Sequence, residues 1–173
     1  MPTPFEFETV FRAPSATEVL DGYFDPEHLA AQDAVAELGD RTIVEQRDDG
    51  AIRECTWRVA ALKPLPVFVR PFVAGGRLRY HESMRLRRAD QAIDLTIRPD
   101  VLGGRVQIAA VYELAQVGEG LVRRRYSGTI TVEIRLLGGR IERAILDEIT
   151  AGMPMMADCT QRWLDSVTRR SAP

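Results

Sequence analysis

The sequence predicts an α+β domain: a curved antiparallel sheet closed by one long C-terminal helix. Three observations carry this expectation. Six segments between Thr42 and Leu136 alternate apolar and polar residues with the period of strands, and short turn sequences join most of them. After Gly138-Gly139 the apolar period changes to three or four residues and stays so nearly to the end of the chain. No repeat or linker interrupts the pattern, so residues 1–173 read as a single domain, long enough to bury its own core.

The elements follow in order. Phe5, Phe7, Thr9 and Phe11 alternate with Glu6, Glu8 and Arg12, as in a half-buried strand. Pro14-Ser15 stops it, and Ser15 with Glu18 three residues on has the form of a capping box for a short helix to about Phe24. Asp25 is placed to cap a second helix with Pro26 in its first turn, running to Leu38 and ended by Gly39. Strands are then expected over Thr42–Arg47, Ala51–Val59, Leu78–Arg88, Ala92–Arg98, Arg105–Gln116 and Leu121–Leu136, with Asp48-Asp49-Gly50 and Gly118-Glu119-Gly120 among the turns. Strands joined this tightly form a meander. Ile141, Ile145, Ile149, Gly152, Met156, Cys159, Trp163 and Val167 mark one face of a final helix to about Thr168, with a kink expected at Gly152 and Pro154.

One segment fits neither period. Ala61–Gly76 carries Pro64, Pro66 and Pro71, which exclude a helix or a central strand, yet it is rich in Leu, Val and Phe. Long apolar loops of this kind serve as lids or binding loops. Phe68 and Phe72 are therefore either part of a gate, capable of transient membrane contact through residues 65–73, or plugs for the core.

Composition narrows the function. The net charge of −2 offers no bulk attraction for nucleic acid. Lys63 is the only lysine, a bias that fits a GC-rich genome. Cys55 and Cys159 lie far apart with no CxxC, as expected of reduced, buried thiols. The N-terminus lacks a basic region followed by an apolar run, and no stretch is long and apolar enough to span a bilayer, so a cytoplasmic location is expected. HExxH, P-loop and GxGxxG motifs are missing, and no ligand spacing calls for a metal or cofactor. His28 is expected on an exposed helix and His81 on an outward strand face, which leaves little for acid–base catalysis.

Alternation assigns the inward faces: Cys55, Trp57 and Val59; Leu78, Tyr80, Glu82, Met84 and Leu86; Val106, Ile108, Ala110, Tyr112 and Leu114; and Arg124, Tyr126, Gly128, Ile130, Val132 and Ile134. Glu82 and Arg124 break otherwise apolar faces, and an unpaired buried charge is costly. They are either a mutual pair, a polar anchor for an amphipathic ligand, or residues released to solvent by a strand end or a bulge. The hydroxyls of Tyr80, Tyr112 and Tyr126 orient a ligand oxygen or bond backbone carbonyls. Met153 and Met156, beside Met155 at the proline, suit an adaptable pocket or plain core, and Cys159 follows them on the same helix. The Arg123-Arg124-Arg125 run is split by alternation between two faces, which removes it as a nucleic-acid stripe.

This order of elements resembles the helix-grip fold of the START-like, or SRPBCC, superfamily, which includes lipid-transfer domains, polyketide cyclases and the birch-pollen allergen group. The stretches that carry the resemblance are LPVFVRPFV at Leu65–Val73, the strand after it, and VEIRLLGGRIERAI at Val132–Ile145, continuing to Trp163-Leu164. Within the superfamily the chain is similar to a bacterial family of uncharacterised function. The resemblance implies a cavity between sheet and long helix that holds a hydrophobic small molecule, lipid-like or polyketide-like, without fixing any reaction. A carrier is the leading expectation. A cyclase- or hydrolase-like enzyme using Glu82 as general acid or base is the second, and a protein-interaction module the third.

Overall fold

A computed structural model of the chain describes residues 1–65, 67 and 69–171; at 72, 74 and 102 it describes the backbone alone. Seven strands form one antiparallel sheet: β1 (Thr3–Arg12), β2 (Leu38–Asp48), β3 (Ile52–Ala61), β4 (Arg79–Arg87), β5 (Ala92–Pro99), β6 (Val106–Gly118) and β7 (Leu121–Val132). Their order in space is β1-β7-β6-β5-β4-β3-β2, so the meander from β2 to β7 returns to lie beside β1. The curved sheet is filled by α1 (Ala16–Gly22), α2 (Pro26–Ala36) and the long α3 (Gly138–Ser171). This is the predicted helix-grip architecture.

Local chemistry explains most boundaries. The Ser15 hydroxyl accepts the Glu18 N–H to start α1, and Asp25 Oδ1 accepts the N–H groups of Glu27 and His28 to start α2. The second helix stops at Ala36, short of the expected Leu38. Glu37 takes the left-handed conformation there (φ 53°, ψ 51°), because Leu38 and Gly39 already pair with Ala61 and Ala60 of β3. Sheet pairing overrides the glycine stop.

The last strand is also shorter than expected, ending at Val132 rather than Leu136. Glu142 of α3 explains this. Its Oε1 accepts the Val132 N–H at 2.9 Å and its Oε2 accepts the Thr3 hydroxyl at 2.6 Å, so a buried carboxylate replaces the next rung. Leu136 then turns left-handed (φ 67°) into α3. That helix is 34 residues long, roughly 50 Å at ~1.5 Å per residue, and it is not interrupted at Pro154, which lies on its exposed side.

Most of the predicted inward positions are observed inward, while Leu78 and Ile134 fall outside β4 and β7. Cys55, Trp57 and Val59, Tyr80 to Leu86 at alternate positions, and Arg124, Tyr126, Ile130 and Val132 are all buried. On the outer face Arg125 pairs with Glu6 at 2.6 Å and Arg123 lies 3.9 Å from Glu8, so these arginines are part of a charge-paired surface. Both cysteines are buried and unpaired. No helix among the described residues is long and apolar enough to cross a membrane.

Candidate functional site

Where α3 crosses the sheet, several inward side chains remain half-buried. Tyr112 on β6 pairs with Tyr126 on β7, and next to them Ala110 pairs with Gly128. The two smallest side chains thus sit opposite each other in the concave face, and the inward surface dips there. Above it Ile145, Ile149, Met153 and Ala157 of α3 pack on the core yet are only half-buried, as are Ala110 and Tyr112. Ile130 is fully enclosed and forms the floor beside Ile108.

The hydroxyls of Tyr80, Tyr112 and Tyr126 form no hydrogen bond with any described residue. Yet desolvation by burial pushes all three phenols above their usual pKa of 10, Tyr112 well above it. Bonds to backbone carbonyls, one of the two roles open to these hydroxyls, are not made among the described residues.

Glu82 and Arg124 both lie inside, but not as a pair. Glu82 is 8% exposed in the middle of β4, and its Oε1 accepts from Arg41 Nη1 at 2.9 Å. Arg41 Nε and Nη2 in turn grip both oxygens of Asp33 on α2, each at 2.7 Å. The guanidinium stands 5.4 Å from the Trp57 ring. Arg41 reaches inward because β2 changes register between Gly39 and Thr42, with Asp40 left-handed (φ 54°), an irregularity that alternation cannot anticipate. Asp33 and Arg41 line a recess of about 700 Å³ between α2 and the β2–β3 hairpin, whose wall includes Trp57, Cys55, Phe24 and Leu29.

Arg124 is 2% exposed. Its Nη1 donates to the Tyr23 hydroxyl at 2.6 Å, and its guanidinium carbon lies 5.1 Å from the Phe11 ring and 5.3 Å from that of Tyr112. Neither Nε nor Nη2 has an acceptor, and no carboxylate among the described residues pairs with it. Arginine cannot shed its proton inside a protein. Two cation–π contacts return about 1–2 kcal/mol each, against several kcal/mol for taking the charge out of water. The charge is under-compensated by this chain alone.

His28, expected on an exposed helix face, is completely buried. The buried residues of α2 are His28, Leu29, Gln32 and Asp33, a mostly polar set, so the hydropathy pattern pointed outward. Its Nδ1 lies 2.8 Å from the Gly22 carbonyl, which can only accept, so the neutral ring carries its proton there. Nε2 lies 3.1 Å from the Thr160 hydroxyl, which has the Met156 carbonyl at 3.0 Å as a second acceptor for its one proton, and the ring stacks on Trp163 at 4.9 Å. Desolvation lowers the His28 pKa below 6.5, with Arg124 adding to that direction, although the Gly22 carbonyl and Asp25 oppose it. The native state therefore resists a proton that the unfolded chain accepts. Stability is expected to fall as pH drops below about 6.5, by at most about 1.4 kcal/mol per pH unit, and to level off below the native pKa. Denaturant midpoints between pH 7.5 and 5 should decline less for His28→Gln than for the natural protein; parallel profiles would refute this.

The remaining predicted residues divide by place. Met84 is buried in β4, Met153 faces the interior, and Cys159 is buried on α3. Met156 lines a second recess of about 300 Å³, where Gly152 and Met155 of α3 meet Pro64, Leu65, Val35 and Leu38. The start of the proline-rich segment thus borders an opening beside α3. Phe68 and the side chain of Phe72 lie outside the described residues. Asp33, Arg41, Tyr23 and Thr160 were not anticipated; the left-handed Asp40 and the polar face of α2 are visible only in three dimensions. Among the described residues no group of three His, Cys, Asp or Glu side chains is arranged to hold a metal.

Comparison with known proteins agrees with this architecture. Residues 6–164 match the model of a family described as Protein of unknown function (DUF2505). No curated protein matches the chain. Among solved structures, the ZhuI aromatase/cyclase from Streptomyces sp. R1128 is similar with TM-score 0.67 at 10% identity, over 95% of this chain and 94% of that one. A START superfamily protein from Mycobacterium smegmatis gives 0.62 at 12%, over 95% and 98%. A point mutant of norcoclaurine synthase from Thalictrum flavum, in complex with a transition-state analogue, gives 0.62 at 14%, over 97% of each. At these identities the likeness is one of fold.

Proposed function

Since the chain belongs to the DUF2505 family of unknown function and has a START-like helix-grip fold, we propose that it binds and carries a hydrophobic small molecule, lipid-like or polyketide-like, in the space between sheet and α3. The observation that carries this reading is the set of three inward tyrosines, Tyr80, Tyr112 and Tyr126, whose hydroxyls have no hydrogen-bond partner among the described residues in a desolvated setting. Oriented polar groups in an otherwise apolar cavity are what a ligand of mixed character requires. The half-buried Ile149 and Met153 supply apolar contact opposite the dip at Ala110 and Gly128.

The recess at Pro64, Leu65, Gly152 and Met156 is the natural route inward, since a loop and a helix turn weakened by Gly152 and Pro154 meet there. Exposed Leu62 and Val67 add apolar surface within the same segment of chain, which fits brief contact with a membrane during loading. An enzymatic reading with Glu82 as general acid or base loses support from the geometry, because Arg41 already occupies that carboxylate.

Native mass spectrometry of the protein purified from its own host tests the reading. A co-purifying apolar molecule at one per chain, released on denaturation, is the expected result. A bare-chain mass, together with no uptake of the neutral dye Nile red, would overturn it. Turnover of the bound molecule would replace carriage by catalysis.

A further inference from the structure

We propose that Arg124 holds the anionic head of the bound molecule, which makes the ligand an apolar carboxylic acid rather than a neutral lipid; this rests on the carrier reading above. The unpaired nitrogens of Arg124, Nε and Nη2, form the edge of the guanidinium that receives a carboxylate with two parallel bonds. Elsewhere in this molecule the same edge does so twice. Arg41 grips Asp33 through Nε and Nη2 at 2.7 Å each, and Arg87 grips Asp94 through Nε and Nη2 at 2.9 and 3.0 Å. Arg124 even matches Arg41 in using Nη1 for a separate partner, Tyr23 in place of Glu82. What it lacks is the carboxylate.

The surroundings suit an acid from outside the chain. Phe11 and Tyr112 enclose the guanidinium, and Tyr112, unlike the fully buried Phe11, keeps accessible surface toward the interior. Because Nε and Nη2 are both enclosed, entry of the acid requires a neighbouring side chain such as Tyr112 to turn aside. The unpaired hydroxyls of Tyr112 and Tyr126 lie on the same wall, where the two residues pair across β6 and β7, and each can donate to the remaining lone pairs of a carboxylate. A purely structural arginine would be expected to find its counter-ion within the fold, as Arg41 and Arg87 do.

The test compares dodecanoate with dodecanol and methyl dodecanoate as competitors for Nile red, using the full chain. The natural protein is expected to prefer the acid by at least about tenfold at pH 7.5. Arg124→Met should bring the ratio close to one while still binding the alcohol, and should leave the melting temperature of the ligand-free protein unchanged or raised, since it removes an unpaired buried charge. Arg124→Lys keeps the charge without the fork, and is expected to retain only part of the preference. Equal affinity of the natural protein for all three compounds would overturn this inference and leave the carrier reading standing. Binding of none of them, with no uptake of the dye, would overturn both. Should Arg124→Met fail to fold, a preference for the acid in the natural protein that vanishes as pH falls below the carboxyl pKa supports the inference, and one that persists refutes it.

Discussion

Replacing Arg41 with alanine is expected to destabilise the protein by about 3–5 kcal/mol, the range for removing one member of a buried ion-pair network. The magnitude follows from burial. The side chains of Arg41, Asp33 and Glu82 are 14%, 13% and 10% exposed, so the pairs are not solvent-screened surface bridges. Without Arg41 two carboxylates are left in a low-dielectric pocket, and Arg41 no longer spans α2, β2 and β4. Chemical denaturation measures the loss. A triple variant, Asp33→Leu with Arg41→Met and Glu82→Leu, should recover most of it, because apolar replacement of a whole buried triad removes the desolvation cost with the charges. A loss below about 1 kcal/mol for Arg41→Ala would place the triad with ordinary surface pairs.

The second large effect is expected at Gly128. A Cβ there would lie 2.6 Å from the Cβ of Ala110 and closer still to the carbonyl oxygen of Ala109, a backbone atom on the neighbouring strand β6. That carbonyl cannot yield without parting β6 from β7, so the clash cannot be relieved by a rotamer change. Gly128→Ala is expected to cost about 2–3 kcal/mol, a fall in melting temperature of about 5–10 °C for a chain of this size. It would also raise the dip in the concave face, so uptake of an apolar dye should fall along with stability. Gly139→Ala meets nothing within 4 Å and is the control, with little change in either quantity. Equal thermal stability of Gly128→Ala and the natural protein would show that the sheet relaxes locally around position 128.

Much of the fold was legible because it follows from local periods and caps. Alternation placed Trp57, Tyr80, Glu82, Met84, Tyr126 and Ile130 on the inner face, and Ser15 and Asp25 announced their helices. These signals depend on neighbours a few residues apart, which a linear pattern contains. The ends of elements were less legible where a distant residue sets them. The last strand stops at Val132 because Glu142 accepts its N–H, and α2 stops at Ala36 because Leu38 joins β3.

For the site, the sequence by itself pointed a carboxylate and a guanidinium, Glu82 and Arg124, toward an apolar face by strand alternation, and left open a strand end or a bulge that would release them to solvent. Only the tertiary structure decided their partners. Glu82 belongs to Arg41, turned inward by an irregular stretch of β2, and Arg124 meets Tyr23 from α1 and two aromatic rings. His28 was misplaced for the same reason: its environment of Thr160 and Trp163 arrives from 132 and more residues away on α3, leaving no trace in the pattern of α2. Burial of polar groups is stabilised by specific partners, and partners distant along the chain are supplied by topology rather than by periodicity.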